Sequence, residues 1–230
     1  MVARFFPART VRHAEVDGLR VILDLRAGSY RVLDEAAGVL WAVLIGEADQ
    51  TTSFEFLSQQ YEVDSERLAA ELAALADRCV REGLLAARGD PLLQTPPIPH
   101  IPGTRSNPGT LQALVCLIAT RRALARHGFA ETYERYAALP AQSARRSPER
   151  ALKAFSRAEN FFIARRAPQD CLLRSLALFW FLRLASVPVQ HVIGVRRFPF
   201  GAHAWVEYNG SPLLDDCALR FAPLSRIGAV

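Results

Sequence analysis

The spacing of hydrophobic and polar residues divides the N-terminal part of the chain into strands followed by helices. Apolar and polar residues alternate between Leu19 and Leu25, which is the period of a half-buried strand. Asp17-Gly18 before this segment and Gly28 after it are typical of tight turns between antiparallel strands. The predicted strands cover residues 11–16, 19–25 and 29–33.

Beyond these strands the apolar period lengthens to that of helices. The predicted helices cover residues 34–45, 53–61 and 65–82. Thr52 and Glu55 have the spacing of a capping box, which predicts the start of the second helix. Gly83 is expected to end the third helix. A meander followed by three helices is small for an enzyme, so we interpret this part as a binding module.

The C-terminal part has the opposite order, with helices first and strands last. The predicted helices cover residues 110–127, 148–165 and 171–187, with Pro148 at the first helical position of the second. The third is apolar almost all round, so it should be buried in the middle of its domain. The predicted strands cover residues 189–195, 202–208 and 211–215. Asn209-Gly210 between the last two is a strong hairpin signal.

A proline-rich segment separates the two parts. Six of the 14 prolines lie between Arg88 and Pro108, in a stretch without apolar periodicity. Such a composition predicts an extended connector. We therefore expect a recognition module over residues 1–87, a linker over residues 88–108 and a larger domain over residues 109–230. The segregation of strands and helices predicts an α+β fold class.

Composition and charge describe a soluble globular chain. Its 230 residues are 50% hydrophobic and 22% charged, which suffices for a sizeable core. The most apolar stretch, residues 175–187, is too short to span a bilayer, and the first twelve residues lack the apolar core of a secretory signal. We expect a cytoplasmic protein with no membrane partner. The net charge of +5 comes with no nucleic-acid motif, so we expect no nucleic-acid partner either.

Cys171, His203 and an aspartate follow each other in an order that suits nucleophilic catalysis. Cys171 begins a predicted helix, where free backbone N–H groups stabilise a thiolate. His203 opens one strand and Asp215-Asp216 end the next, so an imidazole can take the thiol proton while a carboxylate orients the ring. Each residue alone is more often structural, and only the combination indicates an active site. A metal site would mix soft and hard ligands, and we expect no metal and no cofactor.

The sequence leaves two alternatives open around this site. His191 also follows the cysteine on a predicted strand, but its apolar neighbours favour a core position. A hairpin loop of Asn209-Gly210 alone would bring Asp216 opposite His203. A three-residue loop that includes the next serine would instead bring Asp215 diagonally beside the imidazole. Spacing does not decide between the two carboxylates.

Several segments together resemble a known family. They are Cys171-Leu-Leu-Arg-Ser-Leu, Val192-Ile-Gly-Val-Arg, His203-Ala-Trp-Val-Glu, Gly210 and Asp215. This set closely resembles the transglutaminase-like leader peptidase of lasso-peptide biosynthesis, the B protein. The N-terminal meander and helices resemble the RiPP recognition element, a winged-helix-like peptide-binding module that is fused ahead of the peptidase in some bacteria.

The resemblance implies a transglutaminase- or papain-like cysteine peptidase that cleaves the leader from a ribosomal lasso-peptide precursor. It implies Cys171 as nucleophile, His203 as general base and Asp215 as third member, which favours the three-residue loop. Gln169 is a candidate for an oxyanion-hole contact. The released core would pass to a separate ATP-dependent cyclase of asparagine-synthetase type. The precursor peptide and this cyclase are thus the expected partners.

The leader is expected to add as a strand to the exposed edge at residues 29–33, with the third helix as the other wall of a groove. The candidates for apolar contacts are Tyr30, Val32, Leu72, Leu75 and Cys79. Several of these must instead pack the core of the module. Arg31 is a candidate partner for acidic residues of the leader.

Two other functions fit the same residues. The triad can transfer an acyl group to an amine rather than to water, which would make the chain an acyltransferase of transglutaminase type. Alternatively, the chain is a precursor-peptide chaperone whose triad is vestigial. The products of the reaction and the reactivity of Cys171 distinguish these possibilities.

Overall fold

The computed structural model describes residues 4–86, 109–139, 147–161 and 171–228. The chain divides into two compact units, Met1–Leu93 and Gln94–Val230. The predicted linker over residues 88–108 lies outside the described residues.

The N-terminal unit is an antiparallel meander followed by three helices. Its elements are β1 (Phe6–Pro7), β2 (Val11–Val16), β3 (Leu19–Asp24), β4 (Ser29–Leu33), α1 (Glu35–Ile45), α2 (Gln50–Tyr61), α3 (Ser65–Arg81) and β5 (Leu85–Ala86). The meander has the order β2-β3-β4, and the short strands β1 and β5 form a separate pair. Strand β4 pairs with β3 alone, so it lies at an edge of the meander.

An aspartate caps the start of each helix in this unit. The caps are Asp34, Asp49 and Asp64, whose carboxylates accept a backbone N–H three residues later at 2.8, 2.9 and 2.7 Å. Such caps satisfy N–H groups that have no partner inside the helix. Helix α2 therefore begins at Gln50, and the predicted capping box of Thr52 with Glu55 is wrong because Asp49 holds that position.

The three helices and the meander enclose an apolar core around Trp41, which is fully buried. Leu57 of α2 and Leu72 of α3 pack into the same core. Strand β3 differs from the predicted half-buried strand, since its residues from Val21 to Asp24 are all buried. The reason is that Ile22, at a position between the alternating apolar residues, also packs into this core.

The C-terminal unit consists of helices followed by a four-stranded antiparallel sheet. Its elements are α4 (Thr110–Ala137), α5 (Glu149–Phe161), α6 (Cys171–Leu184), β6 (Gln190–Arg196), β7 (Gly201–Tyr208), β8 (Ser211–Pro212) and β9 (Ala222–Ile227), with a 3-10 turn at Ala218–Arg220. The strands have the order β8-β7-β6-β9. Strand β9 was not predicted, and it covers the side of β6 opposite β7.

Helix α6 is the central element of this unit, as its apolar composition predicted. It contacts α4 and α5 on one side and β6 and β7 on the other. Every residue from Ser175 to Arg183 is buried. None of the helices within the described ranges is both long and apolar enough to cross a membrane. The burial of α6 fixes the direction of its first turn, which begins with Cys171.

Gly128 interrupts α4 but does not end the helical segment. Its φ of 72° and ψ of −177° produce a kink between two consecutive helices. This conformation is open mainly to glycine, because a Cβ atom would clash with the backbone. The helix predicted to stop at residue 127 is therefore followed directly by a second one that ends at Ala137.

The β7–β8 hairpin turns through Asn209 and Gly210 alone. Both residues have positive φ, at 50° and 77°, which matches the right-handed twist of paired strands. Tyr208 pairs with Ser211, so the loop has two residues, and the three-residue loop implied by the resemblance is wrong. The return strand is also shorter than predicted and ends at Pro212, which has no N–H to donate.

Candidate active site

The three residues predicted for nucleophilic chemistry come from three separate segments of the C-terminal unit. Cys171 is the first residue of α6 and is partly exposed. His203 is the third residue of β7, and Asp215 follows β8. Only 16% of the His203 side chain and 9% of the Asp215 side chain are exposed. The imidazole and the carboxylate are therefore largely withdrawn from water.

The His203 ring contacts both of the other side chains. Its Nε2 lies 2.7 Å from Oδ2 of Asp215. The ring also forms a hydrogen bond with the Cys171 side chain. Because Asp215 occupies Nε2, Nδ1 is the nitrogen left to face the sulfur. This is the arrangement in which a carboxylate orients an imidazole that exchanges a proton with a thiol.

The backbone holds the Asp215 carboxylate in place. Its second oxygen, Oδ1, accepts N–H groups from Cys217 and Ala218, both at 3.1 Å. These amides begin the 3-10 turn at Ala218–Arg220, so Asp215 caps that turn while it binds His203. Both carboxylate oxygens thus have fixed donors, and the side chain has little freedom to rotate.

A left-handed residue explains why Asp215 reaches His203 although the hairpin loop has two residues. A regular ladder with that loop would have brought Asp216 opposite the histidine. The N–H of Leu213 still donates to the carbonyl of Val206 at 2.8 Å. Leu214 then adopts a φ of 54° and turns the chain out of the ladder. The expected link between loop length and carboxylate therefore failed at Leu214.

The electrostatics of the pair favour a charged imidazole beside a charged carboxylate. The hydrogen bond to Asp215, followed by the one to Cys171, raises the pKa of His203 to about 9. Burial by itself would raise the pKa of Asp215. The hydrogen bond and charge of His203, together with the amide of Cys217, nevertheless hold that pKa below its usual value. His203 is accordingly an imidazolium at neutral pH.

Aromatic rings on both sides fix the plane of the imidazole. The ring of Trp205 stacks on it with centroids 6.1 Å apart, and Phe221 lies at 5.1 Å. The indole of Trp205 fills the space above Gly194, where a Cβ atom would lie 2.5 Å from the ring. Its N–H donates to Glu207 at 2.8 Å, and Arg226 pairs with the same carboxylate. The sequence patterns did not indicate that Phe221 and Arg226 lie near the site, because strand β9 and the segment before it were not predicted.

Arg174 links the first turn of α6 to α5. Its Nε lies 2.5 Å from Oε1 of Glu159. The positive charge of Arg174 is also among the factors that lower the pKa of Asp215. The arginine of the Cys-x-x-Arg motif is therefore a structural neighbour of the site, placed by its position one helical turn after Cys171.

His191 is a core residue, as the apolar pattern around it indicated. It is fully buried, and burial lowers its pKa to about 3, which keeps the ring neutral. Its Nε2 lies 2.9 Å from Oγ of Ser175 in α6, while Nδ1 has no hydrogen-bond partner. Because His191 is a neutral ring buried in the core, His203 is left as the histidine of the site.

Gln169, the candidate for an oxyanion-hole contact, lies outside the described residues. Within the described ranges, no group of three or more histidine, cysteine, aspartate or glutamate side chains is arranged to hold a metal ion.

The residues predicted to bind a leader peptide divide into two groups. Leu72 and Cys79 are 3% and 4% exposed and belong to the core of the N-terminal unit, so the expectation of a surface contact is corrected for both. They face inward because α3 packs against α1, α2 and β5. Leu75 is partly buried against the same core, and Tyr30 is half-buried on β4. Val32, by contrast, is 47% exposed.

Arg31 connects the edge strand to the end of α3. Its guanidinium pairs with the carboxylate of Glu82, the residue that caps this helix. The pair joins the two walls of the predicted groove at one end. Arg31 is thus already bound to an acidic side chain, which any acidic ligand would have to displace.

The two units of the chain match two different protein families. Residues 113–226 match the transglutaminase-like superfamily, and residues 20–85 match coenzyme PQQ synthesis protein D, PqqD. The C-terminal unit thus contains a transglutaminase-like domain, and the N-terminal unit contains a PqqD-like domain of the RiPP recognition element type. Both the predicted combination of modules and the α+β fold class are confirmed.

Two solved structures are similar to part of the chain. A lasso peptide synthetase B1 complexed with the leader peptide is 26% identical, with 36% of this chain and 99% of that chain covered and a TM-score of 0.32. TbiB1 in complex with the TbiA(beta) leader peptide is 23% identical, with 36% and 98% covered and a TM-score of 0.31. No curated protein matches the chain. The assignment of the two units rests on the family matches.

Proposed function

We propose that this chain is a cysteine peptidase that binds a ribosomal lasso-peptide precursor and removes its leader. The observation that carries the proposal is the double contact of His203, with Asp215 at 2.7 Å and with the Cys171 side chain. A raised pKa of the histidine supports it further, because an imidazolium stabilises a neighbouring thiolate and can protonate a leaving amine.

The proposed reaction has two steps. The Cys171 thiolate attacks the carbonyl carbon of the scissile amide, and the C–N bond breaks as the His203 imidazolium transfers its proton to the leaving amine. The products are a thioester on Cys171 and a core peptide with a free amino terminus. His203 then takes a proton from water, whose oxygen attacks the thioester, and the leader leaves as a carboxylic acid. Asp215 keeps the ring oriented and stabilises its charge in both steps.

The N-terminal unit is proposed to hold the leader. Its match to the PqqD family and the edge position of β4 support strand addition, in which backbone N–H and C=O groups of the peptide complete the open edge. The exposed Val32 would contact the peptide, with Tyr30, Arg31 and Leu75 beside it. The predicted linker over residues 88–108 would keep the bound precursor near Cys171 at an effective concentration on the order of millimolar.

The product of this reaction defines the next partner. A core peptide with a free amino terminus is the substrate of a ring-closing enzyme that activates a carboxylate. We propose the asparagine-synthetase-like cyclase as this partner, acting after the leader has been removed.

The test is to incubate the purified chain with the precursor peptide encoded near its gene and to analyse the products by mass spectrometry. We expect two fragments whose masses add up to the precursor plus one water. Cys171→Ser should abolish cleavage, whereas the same substitution at the buried Cys116 should leave it intact. Cys171→Ser should also bind the precursor as the wild type does.

Each other outcome identifies a different function. Cross-linked peptide with loss of ammonia would indicate acyl transfer to an amine. Bound but unchanged precursor, with Cys171 no more reactive toward iodoacetamide than the other cysteines, would indicate a chaperone. Either result would refute the peptidase proposal.

A further inference from the structure

Exposed apolar side chains of the C-terminal unit lie mainly close to the candidate triad in sequence. Within the described ranges, the large exposed apolar residues of this unit are Leu111, Val115, Phe161, Phe198, Phe200, Leu214 and Leu219. Four of these seven are within five residues of His203 or Asp215. Single exposed apolar residues are ordinary, but a group of them beside a candidate active site marks a binding surface.

The sheet register brings these residues to one end of the unit. Phe198 and Phe200 lie in the turn between β6 and β7, two strands whose last pair before the turn is Arg196 with Gly201. The segment after β8 crosses from one edge of the sheet to the other and re-enters it at Ala222, which pairs with Val195. The crossing segment therefore ends at the same end of the sheet as the turn and His203.

Two contacts of the Phe221 ring show that the end of β6 and the crossing segment meet beside the histidine. The guanidinium of Arg196 lies over the ring of Phe221 at 5.3 Å. The Phe221 ring in turn lies 5.1 Å from that of His203. The crossing segment, which carries Leu214 and Leu219, is thus in direct contact with the reacting group.

Leu214 and Leu219 are both placed by Asp215. Leu214 immediately precedes it, and Leu219 lies in the 3-10 turn whose first amide donates to the Asp215 carboxylate. Leu219 is 85% exposed and Leu214 is 39% exposed. Both leucines thus lie on the short segment that carries the triad carboxylate, one residue before it and four residues after it.

Leu214 has a backbone conformation that is unfavourable for leucine. A φ of 54° is disfavoured for leucine, because its Cβ crowds the carbonyl oxygen, whereas glycine or asparagine accepts it readily. A leucine in this conformation contributes nothing to the turn that asparagine would not provide better. A leucine therefore occupies this position at a cost in backbone energy, and the residue is 39% exposed.

We infer that Leu214 and Leu219 form an apolar subsite that binds an apolar side chain of the peptide substrate next to the scissile bond. The inference rests on the peptidase function proposed above. An aliphatic side chain would displace water from both leucines, whereas an acidic or amide side chain would lose hydration without a partner. The subsite would therefore select peptides with an aliphatic residue beside the bond that is cut.

The test uses two small thiol reagents rather than the precursor. N-isopentyl iodoacetamide carries a branched aliphatic group on its amide nitrogen, two bonds from the reactive carbon, and N-(2-hydroxyethyl) iodoacetamide carries a polar group there instead. The alkylation rate of Cys171 with each reagent is measured by mass spectrometry and divided by the rate with free cysteine. We expect the isopentyl reagent to react about tenfold faster with the wild type, equivalent to about 1.4 kcal/mol.

Matched variants locate the subsite. Leu214→Asn keeps a residue that tolerates the left-handed backbone, and Leu219→Asn changes the other leucine; each should reduce the isopentyl preference several-fold. Leu111→Asn, at a leucine 75% exposed on α4, should leave the preference unchanged. The melting temperature of Leu214→Asn should be no lower than that of the wild type, since the substitution relieves the backbone.

The possible failures are distinguishable. Equal rates with the two reagents in the wild type would overturn the subsite. An unchanged preference for the isopentyl reagent in both leucine variants would also overturn the subsite. A lower melting temperature of Leu214→Asn with an unchanged preference would overturn it too, because Leu214 would then have a structural role. A clear preference that depends on the leucines, in a protein that leaves the precursor uncut, would uphold an apolar binding site beside Cys171 but refute the peptidase proposal, and with it the role of that site next to a scissile bond.

Discussion

Asp215→Asn should lower the pKa of His203 and shift the alkaline limit of activity. The substitution keeps the size of the side chain but removes its charge. The two amides of Cys217 and Ala218 bind Oδ1, so the asparagine oxygen should stay with them. Its NH2 group then faces Nε2 of His203, and a donor facing a protonated nitrogen disfavours the imidazolium.

The size of this effect follows from the contact. Asp215 is the largest cause of the rise in the His203 pKa from 6.5 to about 9. Cys171 also raises this pKa, so a full return to 6.5 sets the largest effect: it would reduce the protonated fraction at pH 8 from about nine-tenths to about three-hundredths, a loss of about 30-fold. The corresponding change in free energy is about 3 kcal/mol. With only 16% of the His203 side chain exposed, solvent screens little of it.

Two measurements check the prediction. The pKa of His203 is followed by NMR of its ring resonances, and cleavage is measured between pH 5 and pH 10. The wild type should lose activity as pH rises past about 9, and Asp215→Asn should lose it at a lower pH, shifted toward 6.5. Asp216→Asn makes the same chemical change at the exposed neighbouring residue and should behave as the wild type. An unchanged alkaline limit in Asp215→Asn, with an unchanged His203 pKa, would refute the reasoning.

Stability should follow the same titration. A folded-state pKa that is raised stabilises the fold fully below the ordinary value of 6.5, and this contribution is lost as pH rises through about 9. The difference in unfolding free energy between wild type and Asp215→Asn should therefore shrink across that range. It should also shrink in acid as the Asp215 carboxylate, whose pKa is lowered from 3.8, becomes protonated.

Three further substitutions test the packing and the recognition unit. Gly194→Ala should destabilise the fold by about 1–3 kcal/mol in urea denaturation, because the added methyl group overlaps the indole ring above it. Ser175→Ala should cost about 1–3 kcal/mol, since it removes the hydrogen-bond partner of the buried His191. Val32→Asp should weaken leader binding about tenfold in fluorescence anisotropy without changing the alkylation rate of Cys171. Unchanged stability of Gly194→Ala or Ser175→Ala would contradict the packing or the hydrogen bond described for that residue. Unchanged affinity of Val32→Asp would contradict a leader contact at Val32.

Local signals in the sequence predicted most of the regular elements. Strands β2 and β4 have the predicted bounds. Turns that contain glycine or aspartate delimit both strands. Helix α6 begins at Cys171 as expected, since an all-apolar segment of this length is stable only when buried. The order of Cys171, His203 and Asp215 along these elements was enough to indicate which side chains could meet.

The features that sequence reasoning missed depend on contacts between distant residues. Strand β9 carries a proline and a serine, and it is a strand because β6 offers it an open edge. The carboxylate that meets His203 was decided by the left-handed Leu214, a conformation that leucine rarely adopts and that no local pattern announces. Asp49 rather than Thr52 caps α2. The sequence did not distinguish them, because aspartate and threonine are both favoured at the N-cap position.

The position of β9 has a consequence for the order of events during synthesis. The meander and helices of the N-terminal unit are complete once residue 86 has been made. The sheet around His203, by contrast, needs Phe221 and the strand that ends at Ile227. In a nascent chain, the unit proposed to bind the leader could therefore fold well before the sheet that positions the His203 imidazole. Capture would become possible on the ribosome, and cutting only once translation has passed Ile227.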